Sequence, residues 1–511
     1  MTEGQKPLTI ALGGALMNYD ALNQILNEEV VFYTDALNTD EVYVEFTLAN
    51  GAVCFEPIKS RRFAAFLSFR YRELAEESER PDYKAALAMK EDDAIFLQTN
   101  QVAIHRRVAG SLQDGITYFL ADEKWRYVVV SAEGCTICKR SALKFLKGSM
   151  DEEQVRPRKG GDYLKLMLPK LNMAHDDAIL YAVFLIQAFS RNSSHFAAVI
   201  SSSRGTGKST LTKMTTELVA PSKTGAAIQP ASEDDLKTML ANTYVAAFDN
   251  TATLSTAFSN ILCAAITGSK AAKRKLYTNS DQVVLNLHNL VLLNGVDIVP
   301  FKSDLAERAL YFELLQIKDS ERRTDAEIWE EFNQDKPLIL GAIFKTLSKA
   351  MAILPTVEIK KLHRMADAHK EMMAIALALG IEQAEFQRIL NANQKKLQDA
   401  YAASNPFVDF VLTYLQLHSN VDAPAAKLYQ SMVDSIVGDR GFFPKTPSML
   451  SRRLNEEKDA LLLAGYQFEK AKMKDSNYIK ISRVPQNQLT KAQKDAAARR
   501  AALLQDASTD D

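Results

Sequence analysis

The sequence lacks the features that mark membrane, secreted or fibrous proteins. Only four cysteines occur in 511 residues, too few for a disulfide framework, so a reducing compartment fits best. No run of about 18 apolar residues occurs. The N-terminal stretch MTEGQKPLTI lacks the basic flank and apolar core of a signal peptide. We therefore expect a cytoplasmic protein without a membrane partner.

Neither sign of charge predominates, because 62 Lys and Arg residues stand against 63 Asp and Glu residues. Any nucleic-acid surface must therefore be a local patch. A hydrophobic content of 47% excludes collagen, low-complexity chains and disorder of the whole length. Cys135 and Cys138 have no second Cys or His pair that would complete a zinc site, so we interpret them as ordinary strand residues.

Changes in pattern divide the chain into five parts. Residues 1–150 mix strand-like and helical patterns (α+β), and no motif there indicates a role. Strands and helices alternate over 151–320, which is typical of an α/β domain with a mainly parallel sheet. A helical segment is predicted over 321–403, a small separate domain over 404–484, and a solvated or flexible tail over 485–511.

The most informative stretch is a loop that follows the apolar strand 196–200 and opens a helix. Its eight central residues are Ser203, Arg204, Gly205, Thr206, Gly207, Lys208, Ser209 and Thr210. This is the context of a phosphate-binding P-loop, in which Lys208 would reach the β- and γ-phosphates of ATP and Ser209 would bind Mg²⁺. Ser202 replaces the first glycine of the motif, and serine disfavours the conformation expected there.

A second anchor for Mg²⁺ is predicted at Asp249, which ends the buried strand 244–248 and has the position of a Walker B aspartate. The next residue is Asn250, where many ATPases carry a glutamate as general base. Asparagine cannot accept a proton. Either hydrolysis is slow or another carboxylate serves, and the acidic residues of the preceding connection are Glu233, Asp234 and Asp235.

Two further residues complete the predicted catalytic set. Asn294 ends the next strand and is predicted to contact the γ-phosphate or the attacking water, although an ordinary Asn-Gly turn gives the same pattern. Arg308 precedes the last strand. It is predicted either to reach a neighbouring subunit's nucleotide as an arginine finger or to form a helical ion pair with Asp304.

A basic hairpin is predicted between Asp249 and Asn294. The segment 268–278 carries four basic residues and no acidic one, namely Lys270, Lys273, Arg274 and Lys275. We interpret it as a hairpin that contacts DNA phosphates, with a solvated charged edge as the alternative.

Taken as a set, these motifs resemble those of ATP-binding proteins of phages and mobile genetic elements, which carry an AAA+ core of superfamily 3 helicase type. That core is related to the helicase half of viral primase-helicases. The resemblance is strongest over 196–317 and weaker near Trp125 and over Arg364–Asp367. It implies an AAA+-type P-loop core and a hexameric or similar ring with ATP at subunit interfaces. It also implies Arg308 acting in trans, translocation on single-stranded or forked DNA, and priming by a separate primase.

The small C-terminal domain has the pattern of a winged helix, with helices over 406–418, 425–437 and 447–463 followed by two strands. The segment 440–483 carries ten Lys and Arg residues against five Asp and Glu. We interpret the third helix, capped by Thr446, as the recognition helix. Its predicted DNA-facing residues are Ser448, Ser451, Arg452 and Arg453, and Lys472 is predicted to contact DNA from the wing. A winged helix used for protein contacts remains the alternative.

The sequence therefore predicts an ATP-dependent helicase, translocase or DNA-remodelling ATPase. An ATP-switched DNA-binding initiator or regulator with little hydrolysis is a second hypothesis, which Asn250 favours. A P-loop phosphotransferase is the third, and it leaves both the basic hairpin and the basic C-terminal domain unexplained.

Overall fold

The computed structural model describes residues 19–75, 83–191, 193–251, 254–274, 282–296, 303–418, 420–436, 440–473 and 476–484. The fold is mixed α/β, as predicted. Its helices are α1 (Tyr19–Gln24), α2 (Arg61–Ala75), α3 (Lys84–Leu97), α4 (Tyr163–Met167), α5 (His175–Gln187), α6 (Lys208–Val219), α7 (Glu233–Asn242), α8 (Thr256–Thr267), α9 (Ser303–Ala306), α10 (Asp325–Ile353), α11 (Ala366–Ala378), α12 (Gln383–Ser404), α13 (Pro406–His418), α14 (Ala425–Asp434), α15 (Pro447–Glu456) and α16 (Lys458–Leu463).

The strands form parallel and antiparallel sheets. They are β1 (Val30–Thr34), β2 (Val42–Thr47), β3 (Val53–Pro57), β4 (Ile104–His105), β5 (Val108–Ser111), β6 (Gly115–Phe119), β7 (Tyr127–Ser131), β8 (Gly134–Cys138), β9 (Lys144–Phe145), β10 (Ala197–Ser201), β11 (Val245–Phe248), β12 (Ser269–Arg274), β13 (Gln282–Leu287), β14 (Leu290–Gly295), β15 (Ala309–Glu313), β16 (Val421–Pro424), β17 (Tyr466–Met473) and β18 (Ser476–Arg483).

The antiparallel sheet β5-β6-β7-β8 joins the N-terminal region to the rest of the molecule. Because side chains alternate along a strand, its two faces enter different cores. Ile116, Tyr118 and Val128 are buried in the large central core, whereas Phe119 and Tyr127 are buried in a smaller N-terminal core. The predicted boundary near residue 150 therefore does not coincide with a break in packing.

Arg107 holds the same junction together. Its backbone has a positive φ of 52°, and the residue is 2% exposed. The guanidinium donates to the carbonyls of Phe119, Leu120, Glu152 and Pro221. Pro221 lies just beyond the end of α6, so this one side chain ties the N-terminal sheet to the helix that follows the P-loop.

The central sheet is parallel, with strand order β11-β14-β10-β15. Beyond β11, a single parallel bridge joins Ala227 to Phe248 at the outer edge of the sheet. The opposite edge, β15, is covered by α12, where the Asn393 side chain bonds both the N–H and the carbonyl of Tyr311. Such coverage protects a sheet edge from pairing with other chains.

The longest helix, α10, corrects the expectation that no segment has the length and apolar content to span a membrane. By those two criteria alone the helix could do so. However, Ile339, Ile343 and Phe344 are buried in the central core, where α10 contacts α4, α5 and α11. Lys345 and Lys349 interrupt the apolar run in sequence and lie on the exposed face. We interpret α10 as a core helix.

The C-terminal part consists of α13, β16, α14, α15, α16 and the hairpin β17–β18, with β16 pairing to β18. The helix predicted over 447–463 divides into α15 and α16 at Glu457, which is 3% exposed in its side chain and accepts from Arg453. The helix predicted over 425–437 ends earlier, at Asp434.

Candidate nucleotide and nucleic-acid sites

The register of the central sheet sets the predicted nucleotide-site residues at one edge. Ile200 lies beside Asn294, and Phe248 lies beside Leu293. Because the strands are parallel, the P-loop after β10, Asp249 after β11 and Asn294 on β14 share the carboxyl edge of the sheet. This edge is where ligands bind in open parallel α/β sheets.

The loop between β10 and α6 has the backbone that its glycines permit. Gly205 and Gly207 have φ values of 77° and 88°, in the left-handed region. Ser202 does not have a positive φ, so serine at the first motif position causes no backbone strain. Its hydroxyl instead lies 2.5 Å from that of Thr206, which is 1% exposed, and this contact closes the loop.

Lys208 and Ser209 occupy positions suited to phosphate and Mg²⁺. The Lys208 ammonium donates to the carbonyls of Ser202 and Ser203, each at 2.6 Å, and so lies over the loop. The Ser209 hydroxyl donates to Asp249 Oδ1 at 3.0 Å. A hydroxyl and a carboxylate in contact at the start of a helix are oxygen ligands of the type that Mg²⁺ prefers. The donor set therefore fits MgATP.

Asn294 is 1% exposed, and its side chain is hydrogen-bonded to other residues of the chain. Its Oδ1 accepts from the backbone N–H of Asn250 at 2.9 Å, and its Nδ2 donates to the Thr212 hydroxyl at 2.7 Å. Asn250 has a left-handed φ of 54°, which asparagine tolerates better than most residues. In this arrangement Asn294 links the turn after β11 to α6, and its predicted contact with phosphate stays a prediction.

Two residues that no motif marked bond to the P-loop, and a third lies near it. Asn172 donates to the Thr206 carbonyl at 3.2 Å, and Gln316 accepts from the Ser203 hydroxyl at 2.9 Å. A Cβ atom built on Gly205 would lie 3.8 Å from the guanidinium of Arg322. These residues come from segments far away in sequence, so no local pattern could reveal them.

The acidic residues proposed as alternative bases lie at the start of α7. The hydroxyl of Ser232 accepts from the Asp235 N–H and donates to its carboxylate at 2.6 Å, which fixes Asp235 as part of the helix cap. Glu233 and Asp234 are exposed. Because the bridge at Ala227 is parallel to β11, α7 begins at the same edge of the sheet as Asp249.

Arg308 lies within a cluster of charged side chains. It is 14% exposed in its side chain and pairs with Asp304, which also pairs with Arg364 at 2.8 Å. Although burial favours the neutral acid, the two guanidinium groups hold the pKa of Asp304 below its usual value. The ion pair foreseen as an alternative to an arginine finger is therefore present. Arg364, 46% exposed and also paired with Glu307, lies nearer the surface.

The basic segment forms the antiparallel hairpin β12–β13. Lys270 is exposed, whereas Lys273 donates to the Thr238 hydroxyl of α7 at 2.6 Å. Arg274 pairs with Gln282 through its backbone. The side chain of Arg274 and the whole of Lys275 lie outside the described residues.

The N-terminal region contacts this hairpin directly. The side chain of Asn38 accepts from the Val284 N–H at 2.9 Å and donates to the Val284 carbonyl at 3.1 Å. The carboxylate of Asp35 holds Asn38 in place. A side-chain amide thus occupies the outer edge of β13.

In the C-terminal domain the predicted DNA-facing residues of α15 differ in exposure. Arg452 is 83% exposed and pairs with Glu456. Arg453 is partly buried between Glu457 and the ring of Phe407. Ser451 is 2% exposed, so its predicted orientation toward DNA is wrong. Ser448 is exposed, as expected, and the side chain of Lys472 lies outside the described part of the chain.

All four cysteines are free thiols, and Cys135 and Cys138 lie on β8. Among the described residues, no group of three or more His, Cys, Asp or Glu side chains could hold a metal ion.

Comparison with known proteins adds one informative match. Residues 164–399, slightly less than half of the chain, match the family model described as "Actinomycete integrative conjugative element replication protein". None of the curated proteins compared with the chain matches it.

Among solved structures, the chain is similar to "The A form apo structure of NrS-1 C terminal region-CTR", at 13% identity and a TM-score of 0.41, over 91% of this chain and 99% of that one. It is also similar to "The apo structure of NrS-1 C terminal region (305-718)", at 14% identity and a TM-score of 0.37, over 91% of this chain and 98% of that one. Over the segment that carries the P-loop, the chain is thus similar to a family of mobile-element replication proteins.

Proposed function

We propose that this protein is an ATPase with an AAA+-type P-loop core that couples ATP hydrolysis to DNA unwinding, translocation or remodelling during replication of a mobile element in a bacterial cytoplasm. One observation supports the proposal most directly. Lys208, Ser209 and Asp249 meet at the carboxyl edge of a parallel sheet, where Ser209 and Asp249 are in hydrogen-bond contact.

The chain's residues have separable roles in this proposal. The backbone N–H groups at the start of α6 bind phosphate oxygens, and Lys208 exchanges its loop carbonyls for the β- and γ-phosphates. Ser209 and Asp249 hold Mg²⁺, which neutralises phosphate charge when bound. Arg322, near Gly205, adds a positive charge to the loop. Asn294 positions the turn that carries Asp249 and Asn250.

The general base is assigned among the carboxylates near the carboxyl edge of the central sheet. Asn250 can orient a water molecule but cannot take its proton. Asp235 is hydrogen-bonded to Ser232 in the helix cap, whereas Glu233 and Asp234, the latter 3.7 Å from Lys237, are exposed carboxylates at the start of α7 outside that cap. We assign the proton acceptor to one of these two, with the consequence that turnover without DNA is slow.

DNA contact is assigned to two basic elements. The hairpin β12–β13 presents Lys270 to solvent, and the C-terminal domain has the element order of a winged helix, with Arg452 exposed on α15. Contacts of this kind are to phosphates, so they position DNA without reading its sequence. Assembly into a ring would place Arg308 or Arg364 at a neighbour's nucleotide, and priming would come from a separate primase.

Nucleotide binding tests the core of the proposal. We expect the full chain to bind a fluorescent ATP analogue in a Mg²⁺-dependent manner. Lys208→Ala should weaken binding, and Asp249→Asn should remove most of the Mg²⁺ dependence. Lys213→Ala, on the same helix as Lys208, is the matched control and should bind normally. Unchanged, Mg²⁺-independent binding by all the variants would refute the site.

An ATP-switched initiator is the second candidate, favoured by Asn250 at the position of the usual catalytic acid. The two candidates differ in turnover and assembly. A switch assembles on DNA when ATP binds and releases little phosphate, whereas a motor hydrolyses ATP continuously. Measuring phosphate release and oligomer size in the same samples separates them.

A further inference from the structure

We propose that a groove between β8, the connector 151–162 and α10 binds single-stranded nucleic acid, at a site separate from the P-loop, the basic hairpin and α15. The groove has a volume of about 1150 Å³. The residues on which the argument rests are Arg156, Arg158, Lys159, Cys135, Asn333 and Gln334.

The groove has an excess of positive charge. Arg156, Arg158 and Lys159 are all exposed, and no Asp or Glu lines the groove with them. Within the part of the chain that the structure describes, no carboxylate forms an ion pair with these three side chains. Polyanions bind where such cations are clustered and release their counterions.

Three of the neighbouring carboxylates pair with other cations. Glu153 lies 3.6 Å from Lys147, and Asp162 lies 3.5 Å from Lys165. On α10, Asp335 pairs with Lys170 at 2.7 Å. Among the described residues, no carboxylate lines the groove or pairs with its three cations, in a protein whose total charge is close to zero.

The groove is rigid, because the connector is packed tightly against α10. The Arg158 N–H donates to the Pro337 carbonyl at 2.7 Å. A Cβ atom on Gly341 would lie only 1.7 Å from the Arg158 carbonyl oxygen, and one on Gly161 would lie 2.5 Å from the Leu338 carbonyl oxygen. Only glycine permits these approaches. The cations therefore stand on a segment that is held against α10.

The other walls fit a nucleotide chain better than a simple anion. Ile137 and Val155 give the groove an apolar side, and Asn333 and Gln334 supply exposed amides on the opposite helix. Exposed base faces need apolar or planar partners, and their edges need amide donors and acceptors. Arg156 and Arg158 both line the groove and are two residues apart in sequence, so two guanidinium groups stand on one short stretch of the connector.

Cys135 provides a direct test, since it lines the groove. Cys54 and Cys263 are buried, and burial raises the pKa of each thiol to about 12, so neither reacts readily. In a Cys138→Ser background, alkylation of Cys135 is followed by mass spectrometry with and without oligothymidylate, in the absence of ATP. We expect the oligonucleotide to slow alkylation, equally in the Lys208→Ala protein. The test is thus independent of the proposed ATPase.

Charge variants complete the experiment. Arg156→Gln with Arg158→Gln should abolish the protection of Cys135 and lower the salt dependence of oligonucleotide binding by about 1.4 in the log–log slope. Lys360→Gln with Lys361→Gln removes two exposed charges elsewhere and should change neither. The proposal is overturned if oligothymidylate leaves Cys135 alkylation unchanged, if inorganic phosphate or duplex DNA protects equally well, or if protection survives the double substitution.

Discussion

At the scale of single residues, the proposed nucleotide site depends on one buried amide. Asn294 joins the backbone of Asn250 to the hydroxyl of Thr212, and so connects the end of β11 to α6. A buried donor left without a partner costs about 1–3 kcal/mol, which is enough to move the Walker B turn. We propose that Asn294, which is predicted to contact phosphate, affects the site by holding the turn after β11 in place.

This assignment predicts the effect of Thr212→Val, an isosteric change that leaves Asn294 Nδ2 unpaired. We expect ATP turnover to fall about ten-fold with little change in nucleotide affinity, because positioning rather than binding is lost. Thr216→Val is the matched control, since Thr216 lies one turn further along the helix and bonds only the Thr212 carbonyl. Equal losses in the two variants, measured by steady-state kinetics, would remove the special role of Asn294.

Two partly buried histidines predict a dependence of stability on pH. Burial, followed by the nearby Arg191, lowers the pKa of His288 to about 4, and burial first lowers that of His105 to about 4. The unfolded chain binds these protons near pH 6.5, whereas the folded chain does not bind them until about pH 4. The free energy of unfolding should therefore decrease as pH falls from 6.5 to 4. Each histidine contributes about 1.4 kcal/mol per pH unit.

His288→Gln tests this relation through urea unfolding across that pH range. The variant should show a shallower pH dependence, because one titrating group is removed, whatever its stability at pH 8. An unchanged slope would mean that His288 does not carry the effect.

At the scale of elements, the order of strands and helices in the core could be predicted from sequence, and side-chain geometry could not. The run from the P-loop to Asp249 and Asn294 follows from apolar strands that end in polar residues. Ser451 was assigned to the DNA face because helical spacing alone does not fix which side packs, and it is buried. Asn172, Gln316 and Arg322 required the fold, because they reach the P-loop from distant segments.

The contact of Asn38 with β13 gives the N-terminal region a testable role. Asn38→Ala removes both hydrogen bonds to Val284 and frees the outer edge of the hairpin. We expect DNA stimulation of ATP turnover to fall several-fold while basal turnover is kept, since the P-loop is untouched. Asn50→Ala, an exposed asparagine bonded to Glu123, should behave like the unaltered protein. Loss of basal turnover in Asn38→Ala would contradict a role limited to the hairpin.

At the scale of the whole molecule, we expect each subunit to complete the nucleotide site of its neighbour. Arg308 pairs with Asp304 and precedes β15, which is parallel to β10, so it lies at the edge of the sheet opposite the P-loop of its own chain. Mixing Lys208→Ala and Arg308→Ala proteins should restore activity that neither has alone, because about one quarter of the interfaces in an equal mixture combine both intact residues. An inactive mixture would leave Arg308 as a structural ion pair, and the same test with Arg364→Ala then decides between the two arginines.

The sharing of cores also belongs to this scale. The sheet β5–β8 contributes one face to each core, so the N-terminal region packs directly against the part of the chain that carries the P-loop. This sharing could not be predicted from the sequence, because the pattern of apolar residues along a strand does not show which elements will cover each of its two faces.

The most direct test of the central claim is steady-state ATP hydrolysis by the full chain, with and without single-stranded DNA, beside Lys208→Ala. The account predicts slow basal turnover that DNA stimulates, and loss of both in the variant. Equal hydrolysis by the two proteins would contradict the assignment of the P-loop. Tight ATP binding with no turnover under any condition would contradict the motor and favour the ATP-switched initiator.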